Sequence, residues 1–225
     1  MNSTDGPVTQ RVRLRRHPER ARYEQQAVYA ILDEALYCHL GFDVDGQPYV
    51  IPTIHARVDD DVYVHGAAAS RMLLRLGEGV RVCLTVTLLD GLVLARSVFS
   101  HSMNYRSAVV LGTATEVTDP DEKAAALRAV VERVVPGRWR EARHPTAAEL
   151  AATRVLRLPL AEASAKVRTG PPKDPADDLA LDVWAGELPL ALRAGCPVPA
   201  SDLRPGIAVP EYLAAYRVTD RQSRD

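Results

Sequence analysis

The chain has 225 residues, of which 47% are hydrophobic and 25% are charged, so it can bury a substantial core. Its 28 basic and 29 acidic residues leave a net charge of -1, which gives no reason to expect nucleic acid or an anionic membrane as a partner. No apolar run approaches the ~20 residues that span a bilayer, and the N-terminus lacks the apolar segment of a signal peptide, so we expect a cytoplasmic protein.

Residues 1–22 form a basic N-terminal arm that contains the run RVRLRRHPERAR. We interpret this arm as solvated, because a nucleic-acid-binding tail would carry more charge or aromatic residues for stacking. The three cysteines are far apart and include no CxxC pair, so the sequence predicts neither a zinc site nor a disulfide framework. Cys38 and Cys83 lie in apolar strands and are expected to be small buried hydrophobes.

The first part of residues 23–168 predicts one helix and three strands. YEQQAVYAILDEA has the spacing of a helix, and the strands LYCHLGFDV and PYVIPTIHARV follow. Asp45-Gly46 between them is a hairpin signal, and Pro52 indicates an edge position or a bulge. A turn at DDD, residues 59–61, leads to the strand VYVHGA.

A short helix then precedes three more predicted strands. In SRMLLRLGEG, Ser70 is the expected N-cap and Gly77 follows the last helical residue. The strands VRVCLTVTLL and LVLARSVFSH are separated by a predicted hairpin at Asp90-Gly91, and YRSAVVLGTATEV is the sixth strand. Six strands with short turns predict a mainly β fold with peripheral helices, in the form of a closed or nearly closed antiparallel barrel.

The clearest helix signal is DPDEKAAALRAVVERVVPG, with Asp119 as the cap and Pro120 at the first helical position. Thr146 and Glu149 form a second capping signature, after which RVLRLPLAEASAKVR returns to strand. Residues 169–225 are rich in proline and alanine, and we expect them to form a C-terminal extension that packs on the barrel, with Trp184 and Leu188 docked against it.

The segment YVHGAAASRM combines features of a phosphate site. A strand ends at Gly66, small residues follow, and Ser70-Arg71 open a helix. Helix N-termini present unpaired N–H groups, to which a hydroxyl and a guanidinium would add donors. An ordinary helix cap with an exposed arginine is the alternative interpretation.

Three other segments could contribute to a site. The strand at Ile51, Pro52 and Thr53 offers an apolar surface on which a flat heteroaromatic ring could lie, although a kinked edge strand would look the same. The polar run HSMNYRS at 101–107 and the pair Lys166 and Arg168 are costly to bury without partners, so they face solvent, a cavity or a subunit interface.

Together these segments resemble the flavin-nucleotide-binding branch of the pyridoxamine 5'-phosphate oxidase-like superfamily. The matching stretches are ILDEALYCHLGFDVDGQPYVIPT, YVHGAAASR, DGLVLARSVFSHSMNYRSAVVLGTA, PGR at 136–138, SAKVR and DVWAGELPL. Each is weak alone, but their order and spacing are specific.

The resemblance implies an FMN-binding split β-barrel, six-stranded and Greek-key-like, that forms a homodimer with FMN between the subunits and acts on a small molecule. It assigns the phosphate to Ser70-Arg71 and the isoalloxazine ring to Ile51, Pro52 and Thr53. It adds further cofactor contacts at His65, Gly66, Asn104, Tyr105, Arg106, Ser107, Lys166 and Arg168. FAD, a deazaflavin and, third, haem are the alternative cofactors.

The departures from the family pattern concern the activity. The C-terminal substrate element is reduced to AKVR, and Thr53-Ile54 replace an expected lysine, so oxidation of vitamin B6 is not expected. The resemblance extends to nitroimidazole-reductase-like proteins, which place a histidine at the position of His65. We therefore expect a flavin-dependent oxidoreductase in which His65 tunes or gates the site, with a non-catalytic flavin- or haem-binding module as the alternative.

Overall fold

The computed structural model describes residues 6–217 and consists mainly of antiparallel strands with peripheral helices, which confirms the predicted fold class. The strands are β1 (Ala21–Arg22), β2 (Cys38–Val44), β3 (Gln47–Thr53), β4 (His55–Val58), β5 (Asp61–Ala67), β6 (Arg81–Leu94), β7 (Ser102–Thr113), β8 (Thr115–Glu116), β9 (Thr153–Pro159), β10 (Ala163–Arg168) and β11 (Gly186–Pro189). The helices are α1 (Gln25–Glu34), α2 (Arg71–Gly77), α3 (Pro120–Val134), α4 (Arg138–Glu141), α5 (Ala147–Ala151) and α6 (Glu211–Ala214).

The strands form two sheets that share one core. The larger sheet has the order β1-β10-β7-β6-β2-β3, with β11 added to the far end of β6, and the smaller has the order β4-β5-β9-β8. The inner faces of both sheets and one side of α1 and α2 meet in a single cluster, whose fully buried members include Leu32, Leu40, Leu73, Leu84, Val110 and Leu156. Within residues 6–217, every helix is too short or too polar to span a bilayer.

The hairpin predicted at Asp45-Gly46 is present. Val44 pairs with Gln47, so the loop has two residues, and both have positive φ, 54° at Asp45 and 82° at Gly46. These are the angles of a type I′ turn, which matches the twist of the strands it joins. β3 is the edge strand of the larger sheet, as Pro52 predicts, because an edge strand has one side on which no N–H is needed.

Two predicted strands each divide between the sheets. PYVIPTIHARV breaks at Ile54 into β3 of the larger sheet and β4 of the smaller one, and the final predicted strand divides into β9 and β10. Apolar patterning continues through these corners because residues on both sides face the same core, so the pattern alone gives no boundary.

The hairpin predicted at Asp90-Gly91 is wrong. β6 continues through these residues to Leu94, with a register shift against β7 between Leu89 and Gly91. A Cβ on Gly91 would lie 3.0 Å from the carbonyl oxygen of Leu188, so the glycine admits the backbone of β11 at a bulge. The chain reverses later, through a loop that contains a 3-10 turn at Val98–Ser100, so only the start of the predicted fifth strand is extended.

The helix caps follow the sequence. Asp119 accepts hydrogen bonds from the N–H groups of Asp121 and Glu122, and Thr146 and Glu149 form a complete capping box. α2 also begins after Ser70, but the Ser70 side chain makes no capping hydrogen bond. Gly77 is the last residue of α2, and Gly79 is the residue that adopts the left-handed conformation, with a φ of 87°.

The part of the C-terminal extension that the structure describes, residues 169–217, is largely exposed. β11 pairs with β6 from Gly186 to Pro189, which attaches this part of the extension to the larger sheet. The side chains of Trp184 and Leu188 are not docked, since 67% and 50% of their surfaces are exposed. Residues 191–209 are exposed throughout, before α6 returns to the body, where Tyr216 donates a hydrogen bond to the carbonyl of Val134.

Candidate functional site

The β2–β3 hairpin and α2 enclose a cleft of about 670 Å³. One wall is apolar and consists of Phe42, Tyr49, Ile51, Met72 and Leu74. Its polar groups are Ser70, Arg75, Asp45 and Glu78, and Arg75 is paired with both carboxylates, at 3.2 Å to Glu78 and 3.7 Å to Asp45. A mostly apolar cleft of this size with a few convergent polar groups is typical of a cofactor or small-molecule site.

Ile51 and Ser70 are the predicted site residues that the structure brings to this cleft. Ile51 lies on the inner face of β3, where the barrel opens toward α2. Tyr49, two residues before Ile51, stacks on Phe42. The hydroxyl of Ser70 makes no bond to the helix that it begins, so it is available to a ligand. The side chain of Arg71 lies outside the described part of the chain, so its assignment to the phosphate remains a prediction.

Pro52 and Thr53 continue β3 away from the cleft. Pro52 is exposed at the sheet edge, and Thr53 directs its hydroxyl toward the carbonyl of Ile54 at 3.5 Å. Gly66 lies on β5, where a Cβ would come within 2.8 Å of the buried Leu73 side chain. This glycine therefore allows α2 to pack closely on β5, a structural role that the sequence alone did not distinguish from ligand binding.

His65 lies on β5 opposite Val155 and is half-buried. Burial lowers its pKa below the usual value for histidine, so the imidazole is neutral at pH 7. Its Nδ1 atom is buried and has no hydrogen-bond partner in the described part of the chain. A buried nitrogen without a partner is consistent with the predicted tuning role, which remains a prediction.

A second cleft, of about 380 Å³, lies where β7 meets the C-terminal extension. Asn104 and Arg106 line it, together with Asp90, Gly170 and Glu187. It is distinct from the first cleft, so one chain places the members of the predicted site in two locations.

Arg106 is fully engaged in this second cleft. Its guanidinium makes two hydrogen bonds to Asp90, at 2.9 and 2.7 Å, and two to Glu34, at 2.5 and 2.7 Å. Hydrogen bonds to Asp90 and then to Glu34 hold its pKa far above the ordinary value for arginine. A guanidinium held by two carboxylates has no free fork for a phosphate, so Arg106 joins β7, β6 and α1 in this chain.

Arg168 and Asn104 form a second polar link. Arg168 is buried and donates to the side chain of Asn104 and to the carbonyls of Gly170 and Pro171, at 2.8 and 3.1 Å. Asn104 in turn donates to Glu187, which follows Gly186 on β11. These bonds fix the start of the C-terminal extension to β7 and β10.

Tyr105, Ser107 and Lys166 lie on the face of the larger sheet opposite to that of Arg106. Tyr105 is directly opposite Leu89 and Ser107 is opposite Thr87, and directly paired residues share a face. Ser107 also pairs with Lys166, whose carbonyl accepts from its hydroxyl at 3.4 Å. This face points away from the core of the chain, where a ligand or another subunit could reach it.

The partners of the polar run were not identified from the sequence. The cost of burying Arg106 and Arg168 predicts that partners exist, but Glu34, Asp90 and Glu187 are distant in sequence and carry no local signal. The described residues hold no cluster of three or more His, Cys, Asp or Glu side chains suited to a metal ion.

The chain matches known structures over nearly its whole length. The flavocytochrome Anf3 from Azotobacter vinelandii is 40% identical, with a TM-score of 0.89 over 94% of this chain and 99% of that one. The FAD and haem binding protein from Mycobacterium smegmatis is 34% identical, with a TM-score of 0.85 over 89% of this chain and 100% of that one.

A more distant relative lacks a counterpart to much of this chain. A protein described as a 5-nitroimidazole antibiotic resistance protein, from Bacteroides thetaiotaomicron, is 25% identical, with a TM-score of 0.54 over 65% of this chain and 86% of that one. Comparison with curated proteins gives no match.

The family model described as pyridoxamine 5'-phosphate oxidase matches residues 24–167, which end where the C-terminal extension begins. The match covers more than half of the chain and includes both sheets apart from β1, β11 and the last residue of β10. By this match and by its near full-length similarity to the Azotobacter and Mycobacterium proteins, the chain belongs to the pyridoxamine 5'-phosphate oxidase-like family.

Proposed function

We propose that this protein is a redox protein that binds both a flavin nucleotide and a haem. The observation that carries the proposal is the extent of the match. The two relatives that share 34% to 40% identity are named for flavin and haem or cytochrome, and each aligns with 89% or more of this chain. Coverage of that extent must include most of the C-terminal extension, which lies beyond the family match.

The first cleft fits a flavin. Its apolar wall of Tyr49, Ile51 and Met72 suits the flat ring system, and Ser70 offers a free hydroxyl at the start of α2, next to Arg71. A bound flavin would supply hydride and single-electron transfer, while the protein orients the ring and limits water access. FAD is our first choice, because the Mycobacterium protein is described as binding FAD, and FMN, which the sequence resemblance implies, is the alternative.

A bound haem would account for the exposure of large apolar side chains to water, which a flavin in the first cleft would not. Large apolar side chains are exposed in the loop before β7 and in the extension, including Phe99 and Trp184, and a porphyrin could cover side chains of this kind. Haem iron needs one or two axial ligands, so the lack of a larger ligand cluster in residues 6–217 is compatible with it.

A homodimer is part of the proposal. The outer face of the larger sheet carries Tyr105, Ser107 and Lys166, and the extension exposes large apolar side chains. A two-fold interface across this region would bring residues from two chains to each cofactor and create two identical sites. Light scattering coupled to size exclusion that gives a single 24.6 kDa species at micromolar protein would contradict it.

The spectrum of the purified protein tests the cofactors. We expect a Soret band in addition to the flavin bands, and mass analysis of the released flavin to identify FAD. A protein that binds FAD or FMN but takes up no added hemin would overturn the haem half of the proposal. A protein that binds neither flavin would overturn it entirely.

Turnover separates an oxidoreductase from a carrier. We expect NADH or NADPH to bleach the flavin bands, and air to restore them. Flavin that stays oxidised under both donors would favour the non-catalytic module. A His65→Asn variant that bleaches and recovers at the wild-type rate would show that His65 neither tunes nor gates the site.

Ser70 and Arg71 test the orientation of the flavin. If the phosphate lies at α2, Arg71→Ala removes a charge-assisted bond worth roughly 1.5–3 kcal/mol, which lowers FMN affinity about tenfold to hundredfold. Ser70→Ala should lose less, since its hydroxyl is neutral. Riboflavin has no phosphate, so it should bind wild type and Arg71→Ala alike. Unchanged FMN affinity in folded Arg71→Ala would place the phosphate elsewhere.

A further inference from the structure

The loop between β6 and β7 exposes apolar side chains around a histidine. Val98 and Phe99 are 88% and 95% exposed, and Met103 is 52% exposed at the start of β7. His101 lies between them in sequence and is exposed as well. Adjacent large apolar side chains with this exposure mark an interaction site, because a soluble protein gains nothing by placing them in water. We refer to residues 98–103 as the apolar loop.

The ring of His101 is oriented by the backbone. Its Nδ1 atom lies 2.9 Å from the carbonyl oxygen of Ser97. A carbonyl only accepts, so Nδ1 carries a proton, and in the neutral form of the ring Nε2 carries the lone pair. A histidine whose Nδ1–H bonds a backbone carbonyl while Nε2 is free has the arrangement found in metal-ligating imidazoles.

The loop that carries His101 is itself held in place. Ser97 accepts from the N–H of Phe99 through its hydroxyl, at 3.3 Å, and from the N–H of Ser100 through its carbonyl, at 3.0 Å. Just before it, Arg96 makes a backbone bond of 3.0 Å and a guanidinium bond of 2.8 Å to Asp174. The C-terminal extension therefore anchors the loop, and the imidazole is preorganised without any ligand.

The other histidines lack this combination. His55 is completely buried and uses Nε2 to donate to Leu32. His144 stacks on Trp139 and uses Nε2 toward its carbonyl, in a charged segment. His65 is half-buried and His39 is exposed, and neither has a backbone carbonyl on its ring in the described part of the chain. His17 is paired with Glu19, in the basic arm.

We propose that Nε2 of His101 is an axial ligand of the haem, and that the apolar loop covers part of the porphyrin. The assignment rests on the proposed function. Haem iron in proteins accepts an imidazole nitrogen, and the ring of His101 is held by the carbonyl of Ser97 with Nε2 left free. The assignment also gives the exposed Val98, Phe99 and Met103 a partner of matching chemistry.

Hemin titration of His101→Gly, followed by the Soret band and by electron paramagnetic resonance, tests the ligand. We expect hemin affinity to fall at least about tenfold to hundredfold, the range known for perturbing a metal ligand's environment. Added imidazole should restore the wild-type spectrum, because it occupies the cavity that the glycine leaves. Flavin content and the thermal midpoint should not change, since His101 is on the surface.

Variants of the other histidines test whether one of them, rather than His101, binds the haem iron. His39→Gly and His144→Gly remove other exposed histidines, and His65→Asn removes the half-buried one; each should retain the wild-type haem spectrum. Phe99→Ser should weaken hemin binding without changing the ligand signature. Wild-type hemin affinity and an unaltered resonance spectrum in His101→Gly would overturn the assignment alone. Failure of the wild type to bind hemin would overturn it together with the haem half of the proposed function.

Discussion

The barrel buries its large apolar side chains, whereas the C-terminal extension leaves its own exposed to solvent. In the barrel, Leu32, Leu84 and Leu156 are completely inaccessible to water. Between residues 169 and 217 no apolar residue is buried, and Trp184, Leu192 and Val198 are largely exposed. The barrel therefore supplies its own stability, whereas the extension is ordered by a few polar and backbone anchors.

Those anchors are specific. β11 pairs with β6, Arg168 binds the carbonyls of Gly170 and Pro171, and Asp174 binds Arg96. At the far end, Tyr212 accepts a hydrogen bond from Arg138 at 3.1 Å. Burial of apolar side chains therefore contributes little to holding the extension, and its exposed apolar groups are the ones that the proposed homodimer and haem would cover.

The largest effect expected from this comparison is in the barrel core. Leu84→Ala removes a completely buried side chain of β6 from the core, so we expect the free energy of unfolding to fall by about 2–5 kcal/mol. Leu192→Ala, in the extension, is the matched control and should change it by less than about 0.5 kcal/mol. Urea unfolding measures both. Equal losses in the two variants would remove the distinction between the regions.

The next effect tests the polar link between β7 and α1. Arg106→Gln leaves Glu34 and Asp90 side by side without a cation, and we expect a loss of about 2–3 kcal/mol. This is less than for a fully buried pair, because 24% of the Arg106 side chain is exposed. Arg143→Gln breaks the exposed pair with Glu149 and should leave the unfolding midpoint close to that of the wild type. A wild-type midpoint for Arg106→Gln would contradict this role.

A smaller effect depends on pH and again belongs to the barrel. Burial lowers the pKa of His55, which is neutral in the folded protein and donates to Leu32. Above pH ~6.5 both states bind no proton there, so the stability is complete. Below that pH, His55 is protonated in the unfolded chain but stays neutral in the folded one. The free energy of unfolding therefore falls by at most about 1.4 kcal/mol per pH unit. His55→Gln should flatten this part of the pH profile of unfolding; parallel profiles would show that another group causes the acid loss.

The smallest effect on folding is expected in the extension, where the stability of the proposed homodimer is the more sensitive measurement. Leu192→Ser combined with Ile207→Ser replaces two exposed apolar side chains, so unfolding should change by no more than about 0.5 kcal/mol. If these residues lie against a second copy, light scattering should show the dimer dissociating at higher protein concentration than in the wild type. An unchanged dimer would limit the interface to the outer face of the barrel.

Local signals predicted the elements whose cause is local. The two-residue turn at Asp45-Gly46, the caps at Asp119 and Thr146, and the edge position of Pro52 depend on a few adjacent residues, and all are present. The Asp90-Gly91 signal failed because its glycine responds to β11, almost a hundred residues later in the chain. An Asp-Gly pair thus indicates that the backbone needs a glycine at that point. The sequence does not show whether the reason is a chain reversal or a β-bulge.

The candidate site divides in the same way. From the sequence alone came the family resemblance, the mainly β fold, the helix that opens at Ser70, and the need for polar partners around Arg106 and Arg168. The tertiary structure decided which partners they have, since Glu34, Asp90 and Glu187 approach only when α1, β6 and β11 pack on β7. It also decided that Gly66 makes room for Leu73, and that the ring of His101 is fixed by the carbonyl of Ser97. Side-chain type is local information, but burial and hydrogen-bond geometry depend on segments distant in sequence, so they emerge only in the folded chain.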